Sequence, residues 1–300
     1  MTKFHEPVLL GEAVGGLNIK MNGIYVDVTF GGGGHSREIL HQLRDGQLIV
    51  FDQDQEAIKN KISDDNKVIM INKNFQHLKL ELDAIGVSSV DGIIADLGVS
   101  GYHFTNNKRG FSLKYDSILD MRMGQNLKQN GVDVVNNYNR ENLVRIFRDH
   151  ADFKRPQSIV DTIIRARQKN IIQTTFELKD VLKKYVSQKT ENKFFARIFQ
   201  AIRIEVNDEI QALKSLLTQA LKVLSPSGRL VVISYHSIED KIVKSFMKFG
   251  NFSSCADKDF FGNSFHPFNV ITKKPIIPSS IEIQFNNKAR SAKLRISEKI

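Results

Sequence analysis

The stretch Asp27-Val28-Thr29-Phe30-Gly31-Gly32-Gly33-Gly34-His35-Ser36 joins the end of an apolar run to the start of a helical pattern. Consecutive glycines let the backbone approach a ligand closely and permit positive φ angles, and Ser36 is a candidate cap for the following helix. A flexible turn without a ligand is the alternative, although a run of glycines costs conformational entropy that an ordinary turn does not need. The stretch therefore predicts a ligand-binding loop between a first strand and a first helix.

Around this loop, apolar runs alternate with helical patterns, as they do in parallel βαβ units. Runs rich in β-branched residues predict strands at 24–29, 47–51, 68–71 and 90–97, and a further buried strand at 229–234. Helical periodicity is clearest at 140–148, 158–168 and 176–186, and a long helical pattern over 196–224 ends at the stop signal Ser225-Pro226-Ser227-Gly228. The pattern predicts an open parallel α/β sheet, interrupted after its fourth strand by a helical insertion.

The positive charge is concentrated in the predicted insertion. The chain has 43 Lys plus Arg against 33 Asp plus Glu, a net charge of +10, and residues 106–200 alone contain 19 basic and 10 acidic side chains, a net of +9. We therefore predict a discontinuous sheet domain, 1–105 and 201–300, and an inserted helical domain, 106–200, that recognises the substrate. Such a concentration of charge favours a polyanionic partner.

Several classes of protein are excluded by the composition. With 41% apolar and 25% charged residues and no apolar run near the ~18 residues of a membrane span, the chain is not a membrane protein. The single cysteine, Cys255, rules out an internal disulfide framework, and the N-terminus lacks the apolar region of a secretory signal. We expect a cytoplasmic protein. No His, Cys and Asp grouping has zinc-ligand spacing, so neither a metal nor a cysteine nucleophile is predicted.

An acidic residue, Asp52, ends the second predicted strand, where a carboxylate can accept hydrogen bonds from both hydroxyls of a ribose. The alternative is a helix cap. Nicotinamide dinucleotides and S-adenosylmethionine both carry such a ribose. A dinucleotide fingerprint would require glycine at position 36 or 37, where Ser36 and Arg37 stand, and Asp27 ahead of the glycines fits S-adenosylmethionine better.

A second acid, Asp96 in Ala95-Asp96-Leu97-Gly98-Val99-Ser100, ends the fourth predicted strand beside the switch point where open α/β sheets bind ligands. A turn or helix cap is the alternative for this residue, as it is for His236 after the fifth strand. Farther on, 108–113 and 119–123 combine arginines, Phe111 and methionines. Such side chains can hold phosphates and stacked bases, but Phe and Met at this spacing more often belong to a core.

Ordered along the whole chain, several phrases resemble the bacterial 16S ribosomal RNA cytosine-N4 methyltransferase family, the MraW type. They are His5-Glu6-Pro7-Val8-Leu9-Leu10, Thr29-Phe30-Gly31 with Gly33-Gly34-His35-Ser36, Asp96-Leu97-Gly98-Val99-Ser100, Arg109-Gly110-Phe111-Ser112, Asp120-Met121-Arg122-Met123, Phe199-Gln200-Ala201-Ile202-Arg203-Ile204 with Val206-Asn207, Gly228-Arg229-Leu230, Ile233-Ser234-Tyr235-His236-Ser237-Ile238-Glu239-Asp240 and Ala289-Arg290-Ser291-Ala292-Lys293-Leu294-Arg295. The resemblance implies a Rossmann-like S-adenosylmethionine-dependent methyltransferase sheet with an inserted helical domain. It also implies methylation of the exocyclic amine of one decoding-region cytidine in 16S ribosomal RNA, within the small ribosomal subunit.

The resemblance also implies a set of cofactor contacts. The family pattern lands on Gly33, Gly34, His35, Asp52, Phe75, Asp96 and His103. His103 departs from the pattern, because the family usually has Gln there. Histidine can still donate or accept one hydrogen bond, but it is shorter and can ionise.

The expected reaction is displacement at a sulfonium methyl by a cytosine amine whose lone pair is delocalised into the ring. An acceptor aimed at the amine hydrogens would help to localise that lone pair, and Asp96 is the candidate catalytic residue, with a backbone carbonyl of 97–100 as the alternative. The usual amine-methyltransferase signature, Asp or Asn followed by Pro-Pro and an aromatic residue, is absent.

Two other functions stay open at this point. A dinucleotide oxidoreductase would explain the sheet and Asp52, and a noncatalytic RNA-binding assembly factor would explain the charge but not the glycine loop. The sequence favours the ribosomal RNA methyltransferase, with no membrane partner, and leaves a homodimer open.

Overall fold

The computed structural model describes residues 7–58, 62, 66–98, 109–124, 127–253, 255–256, 260, 262 and 266–300. The chain forms two compact units, the first from Met1–Gly98 and Ile210–Ile300, the second from Val99–Glu209. The sequence predicts these boundaries at 105/106 and 200/201. In the structure, the second unit interrupts the first along the chain.

In the described ranges the strands are β1 (Ile24–Asp27), β2 (Gln47–Phe51), β3 (Val68–Ile71), β4 (Val90–Asp96), β5 (Leu224–Ser234), β6 (Phe268–Val270) and β7 (Lys293–Lys299). The helices described are α1 (Leu10–Gly16), α2 (Gly34–Gln42), α3 (Gln55–Ile58), α4 (Leu78–Ala84), α5 (Gly131–Asn137), α6 (Arg140–Asp149), α7 (Gln157–Arg167), α8 (Thr175–Leu182), α9 (Glu191–Asn207), α10 (Glu209–Val223), α11 (Ser237–Phe249) and α12 (Ser280–Phe285). Short 3-10 helices cover Phe75–His77, Lys183–Tyr185 and Asn287–Ser291.

The strands of the first unit form one sheet in the order β3-β2-β1-β4-β5-β7-β6. Strands β1 to β5 are parallel, so the five predicted strands are confirmed, with β2 and β3 at the predicted bounds. The prediction of a parallel sheet was wrong for the last strands, because β7 is antiparallel to both β5 and β6. The chain re-enters the sheet with Lys293 beside Ser234, at the carboxyl end of β5, so β7 must run back along β5.

The parallel strands are apolar on both sides because each face of the sheet is covered. Alternate residues point to opposite faces of a strand. Val26 and Ile93 accordingly belong to the core that contains Leu216 of α10, whereas Tyr25 and Ile94 belong to the core on the other face. Burial on two faces leaves no room for the polar alternation of a half-exposed strand.

The second unit is helical in its described residues and has its own core. Helix α6 buries one stripe, Leu143, Ile146 and Phe147, against apolar residues of the other helices of this unit. Capping boxes start α5 at Asn130 and α8 at Thr174. The buried stripe, not the caps, produces the helical periodicity that the sequence shows.

One helix was predicted over 196–224, and this prediction was wrong, because α9 and α10 are separate helices. They meet at Asp208, whose φ of 48° lies in the left-handed region that Asp adopts more readily than most residues. The preceding Asn207 is buried, accepts the N–H of Met123 at 2.7 Å and donates to the carbonyl of Met121 at 2.7 Å. The stop signal at 225–228 lies inside the observed β5, which begins at Leu224.

The aromatic and methionine side chains of 109–123 belong to the core of the second unit. Phe111, Met121 and Met123 are buried there, so the core interpretation of this stretch holds. The Arg109 guanidinium donates to the carbonyls of Arg122 and Met123, and Arg122 pairs with Asp120 at 2.7 Å. These arginines stabilise the unit internally.

Among the described residues, no helix is both long enough and apolar enough to cross a membrane.

Candidate active site

The carboxyl ends of β1, β2 and β4 are tied together by hydrogen bonds at one edge of the sheet. The N–H of Gly31, in the glycine loop, donates to Asp52 Oδ2 at 2.8 Å. The N–H of Asp96 donates to Thr29 Oγ1 at 2.7 Å. The glycine loop and the two predicted acidic residues are therefore neighbours, at the edge where open α/β sheets bind ligands.

The glycine loop adopts a conformation that requires glycine at two positions. Gly31 has φ of 51° and Gly33 has φ of 73°, and a Cβ on Gly33 would lie 2.8 Å from the Phe30 ring. A Cβ on Gly34 would lie 2.8 Å from the Pro7 ring, whereas the space around Gly32 is open. The loop is thus folded tightly on one side and leaves room on the other at Gly32.

Ser36 was predicted to cap the helix after the loop, and this was wrong. Helix α2 begins at Gly34, so Ser36 lies in its first turn, and Gly33 precedes the helix without any side-chain cap. The Ser36 hydroxyl instead donates to Asp27 Oδ2 at 2.6 Å. Asp27 is buried, which raises its pKa, while the hydrogen bonds from Ser36 and Thr29 oppose that rise.

Asp52 holds the loop rather than capping a helix. Its Oδ1 accepts the N–H of Asp54 at 2.8 Å, in addition to the bond between Oδ2 and Gly31. Asp54 is the residue that caps α3, through Oδ1 and the N–H of Glu56 at 3.0 Å. The partly exposed Asp52 is thus fixed in orientation at the carboxyl end of β2.

Phe75 starts the 3-10 helix that follows β3, at the same edge of the sheet as Asp52. Asn74 caps this turn by accepting the N–H of Gln76 at 2.9 Å, and it donates to Gln53 Oε1 at 2.8 Å. The ring of Phe75 is partly buried and packs against one sheet core. A partly exposed aromatic ring beside the end of a parallel strand is the kind of surface on which a purine base packs.

Asp96 is an acid of this edge whose pKa is strongly shifted. Its Oδ1 accepts the hydroxyl of Tyr235 at 2.7 Å, and its Oδ2 lies 4.0 Å from Nδ1 of His35. Burial raises the pKa of Asp96 to about 6, although His35 and the Tyr235 hydrogen bond lower it. Burial and the adjacent carboxylate raise the pKa of the Tyr235 phenol far above its usual range, so Tyr235 is a donor to Asp96.

His35 is fixed beside Asp96 by a contact with the backbone of Val8. Its Nε2 lies 3.1 Å from the carbonyl oxygen of Val8, which can only accept, so Nε2 carries a hydrogen. The Nδ1 atom therefore faces Asp96. The two side chains form one polar group at the carboxyl ends of β1 and β4, as expected for a site that handles protons.

His236 is explained by its role as a cap. Its Nδ1 accepts the N–H of Glu239 at 3.4 Å, and Glu239 Oε2 accepts the N–H of His236 at 3.3 Å, which is a capping box at the start of α11. The capping interpretation therefore holds. Sequence reasoning missed Tyr235 and Thr29, the two hydroxyls bonded to Asp96. The available signal was the position of Tyr235, directly after the carboxyl end of β5.

His103 and the backbone of 99–100 lie outside the described residues, so their predicted roles stay predictions. The other predicted site residues meet at one sheet edge: Gly33, Gly34 and His35 after β1, Asp52 after β2, Phe75 after β3 and Asp96 at the end of β4. These residues provide acids that can accept hydrogen bonds from hydroxyl or amine groups, an aromatic face, and a loop with room at Gly32. Such a set fits an adenosine that carries an amino acid. This edge defines a Rossmann-like enzyme of the class that binds S-adenosylmethionine.

Comparison with known proteins agrees with that class. The model of the MraW methylase family matches residues 2–300, and the chain belongs to this family. It is therefore a methyltransferase, and its methyl donor is S-adenosylmethionine.

Two relatives are similar along almost their whole length. A protein of Flavobacterium johnsoniae is 51% identical over 99% of this chain and 98% of its own, and one of Christiangramia forsetii is 48% identical over 100% and 99%. Both are called ribosomal RNA small subunit methyltransferase H. A solved rRNA methylase from Streptococcus thermophilus is a remote likeness, 12% identical over 97% of this chain and 92% of its own, with a TM-score of 0.40.

Proposed function

We propose that the protein methylates the N4 amine of a cytidine in the decoding region of 16S ribosomal RNA, within the small ribosomal subunit. The names of relatives at 46–51% identity support ribosomal RNA of the small subunit as the substrate. The observation that carries an amine as the acceptor is the Asp96 carboxylate, held by Tyr235 and His35 at the edge of the sheet.

In this proposal Gly33, Gly34, His35, Asp52, Phe75 and Asp96 bind the cofactor. Asp52 would accept the ribose hydroxyls, because the N–H groups of Gly31 and Asp54 already fix its orientation. Phe75 would pack against the adenine, and the loop at Gly32 has space for the remainder of the cofactor. His103 stays a predicted contact.

When bound, S-adenosylmethionine supplies a methyl group that is open to nucleophilic attack because it is attached to a positively charged sulfur. The chain would then orient the cytosine amine and accept the proton that the nitrogen loses once it carries the methyl group. With a pKa near 6, Asp96 is largely ionised at neutral pH and can accept an amine hydrogen at Oδ2. Tyr235 keeps Oδ1 occupied and holds the carboxylate in place. Asp96 is thus the proposed catalytic residue.

The proposed test compares ribosomal RNA from a strain that lacks the gene with RNA after return of the wild-type or the Asp96→Asn gene. Small-subunit RNA is digested to nucleosides, and mass spectrometry with N4-methylcytidine and C5-methylcytidine standards identifies the modification. We expect N4-methylcytidine to disappear in the deletion strain and to return only with the wild-type gene. A change at C5, a change confined to large-subunit RNA, or an unchanged N4 signal would contradict the proposed function.

A further inference from the structure

A cavity of about 290 Å³ opens at the carboxyl end of β5, outside the cofactor residues described above. Its lining includes the polar residues Tyr235 and Ser237, the apolar residues Ile277 and Ile283, and the cations Arg290 and Lys293. The cavity lies wholly in the first unit. It shares one residue with the candidate active site, because the Tyr235 side chain that lines it also donates to Asp96.

Topology explains why a basic segment comes to this edge. Strand β7 runs antiparallel to β5, and its first residue, Lys293, pairs with Ser234, the last residue of β5. The 3-10 helix Asn287–Ser291 just before β7 therefore lies at the edge where the parallel strands end. Arg290 reaches the active-site edge even though it is distant from Asp96 in sequence.

Three cations between positions 290 and 295 have different environments. Arg295 is buried and donates to Asp240 Oδ1 at 2.6 Å, and Lys293 donates to Asp240 Oδ2 at 3.1 Å. The neighbouring acid Glu239 is occupied by the cap of α11. Arg290 is exposed, and in the described part of the chain no carboxylate lies within 4 Å of its guanidinium. Within the described ranges, its charge is therefore not balanced by an ion pair.

We propose that this cavity binds a ribose phosphate of the RNA backbone next to the nucleotide that is methylated, with Arg290 on the phosphate. Guanidinium groups bind phosphate oxygens in pairs, and phosphate contacts position a nucleic acid without reading its sequence. A volume of about 290 Å³ suits one unit of a polymer, since pockets for whole drug-sized ligands begin at roughly 300 Å³. The apolar lining residues Ile277 and Ile283 would contact the sugar.

This inference rests on the proposed function, and its test uses Arg290→Gln, Arg290→Lys and a matched control. The control is Arg44→Gln, because Arg44 is also an exposed arginine of the first unit but precedes β2, at the opposite edge of the sheet. Methyl transfer to small subunits from the deletion strain is measured as kcat and KM at several salt concentrations. Binding to a short single-stranded RNA is measured in parallel, and S-adenosylmethionine affinity by calorimetry.

For Arg290→Gln we expect KM to rise about tenfold at low salt and the slope of log affinity against log salt to flatten by about 0.7, as for one lost phosphate contact. Arg290→Lys should recover part of the affinity, and Arg44→Gln should match wild type. Cofactor affinity should not change. An Arg290→Gln slope equal to that of Arg44→Gln, or a loss of kcat at constant slope, would overturn the phosphate site. If wild type transfers no methyl group to ribosomal RNA, the proposed function fails. The salt slope for binding to single-stranded RNA then still tests whether Arg290 contacts a phosphate in the cavity.

Discussion

Tyr235 donates its phenolic hydrogen to Oδ1 of Asp96 across 2.7 Å and so joins the carboxyl end of β5 to that of β4. The bond stabilises the ionised carboxylate, against a burial that favours the neutral form and raises the Asp96 pKa to about 6. The ionisation of Asp96 near neutral pH therefore depends on a residue contributed by the C-terminal part of the chain.

Removing this hydroxyl should shift the pH dependence of catalysis. In Tyr235→Phe the Asp96 carboxylate loses a donor, so its pKa rises above the wild-type value and a higher pH is needed to ionise it. We expect kcat to fall several-fold at pH 6.5 and much less at pH 8.5. A pH profile of kcat between 5.5 and 9 measures this. Tyr115→Phe, at an exposed tyrosine, is the control. A profile that falls equally at every pH would assign Tyr235 a purely structural role.

Asp96→Asn should abolish most activity and at the same time stabilise the protein above pH 6. Because the folded-state pKa is raised, the folded protein binds more protons than the unfolded chain between about pH 4 and 6, and wild-type stability falls as pH rises through that range. Asparagine does not ionise, so the variant should gain about 1 to 3 kcal/mol at pH 8 and almost nothing at pH 4. Turnover should fall at least 100-fold. Chemical denaturation at both pH values, together with methyl-transfer assays, checks the prediction. A variant less stable than wild type at pH 8 would show that the charge of Asp96 does not destabilise the fold.

The glycine loop should tolerate a side chain at one position and not at the next. Gly33→Ala places a Cβ at positive φ and against the Phe30 ring, and we expect a loss of about 1 to 2 kcal/mol in the free energy of unfolding with weaker cofactor binding. Gly32→Ala meets open space and should change stability by less than about 0.5 kcal/mol. Thermal denaturation and calorimetry with S-adenosylmethionine compare the two. Equal stability of the two variants would contradict the tight loop geometry.

Asp52→Asn should weaken the cofactor complex. An amide has one acceptor oxygen, so it cannot accept from Gly31 and Asp54 through separate oxygens as the carboxylate does. We expect S-adenosylmethionine affinity to fall roughly 10-fold to 100-fold, corresponding to about 1.4 to 2.8 kcal/mol. Asp45→Asn, at an exposed acid just before β2, is the control and should bind normally. Calorimetric affinity within a factor of two of wild type would remove Asp52 from the cofactor site.

The inserted unit should contribute phosphate contacts through lysines that the fold does not use. Lys183, Lys184 and Lys189 are exposed, and none has a carboxylate within 4 Å among the described residues. Replacing all three with Gln should weaken binding to small subunits and flatten its salt slope by up to about 2, with unchanged cofactor affinity. The control replaces three exposed lysines of the first unit, Lys222, Lys273 and Lys274. If both triple variants keep the wild-type slope, the RNA-binding surface of the inserted unit lies elsewhere.

Much of the fold could be predicted from the sequence because its signals are local. The β-branched runs of β2 and β3 predicted those strands at their observed bounds, and periodicity predicted each end of α6 and α7 to within one residue. Local pattern also predicted Asp52 and Asp96 as strand-end acids. Where a backbone conformation decided the outcome, local pattern was insufficient: the helical periodicity of 196–224 does not reveal that Asp208 adopts a left-handed conformation.

Contacts between distant segments were decided only by the tertiary structure. The antiparallel direction of β7 depends on where the chain re-enters the sheet, and that placement brings Arg290 to the active-site edge. The bond between Tyr235 and Asp96 likewise joins residues 139 positions apart. The sequence by itself determined which residues are candidates for binding a cofactor, because glycines and strand-end acids carry that chemistry wherever they lie. The ionisation of Asp96 was decided by the tertiary structure, because burial and a neighbouring donor arise only when the strands assemble.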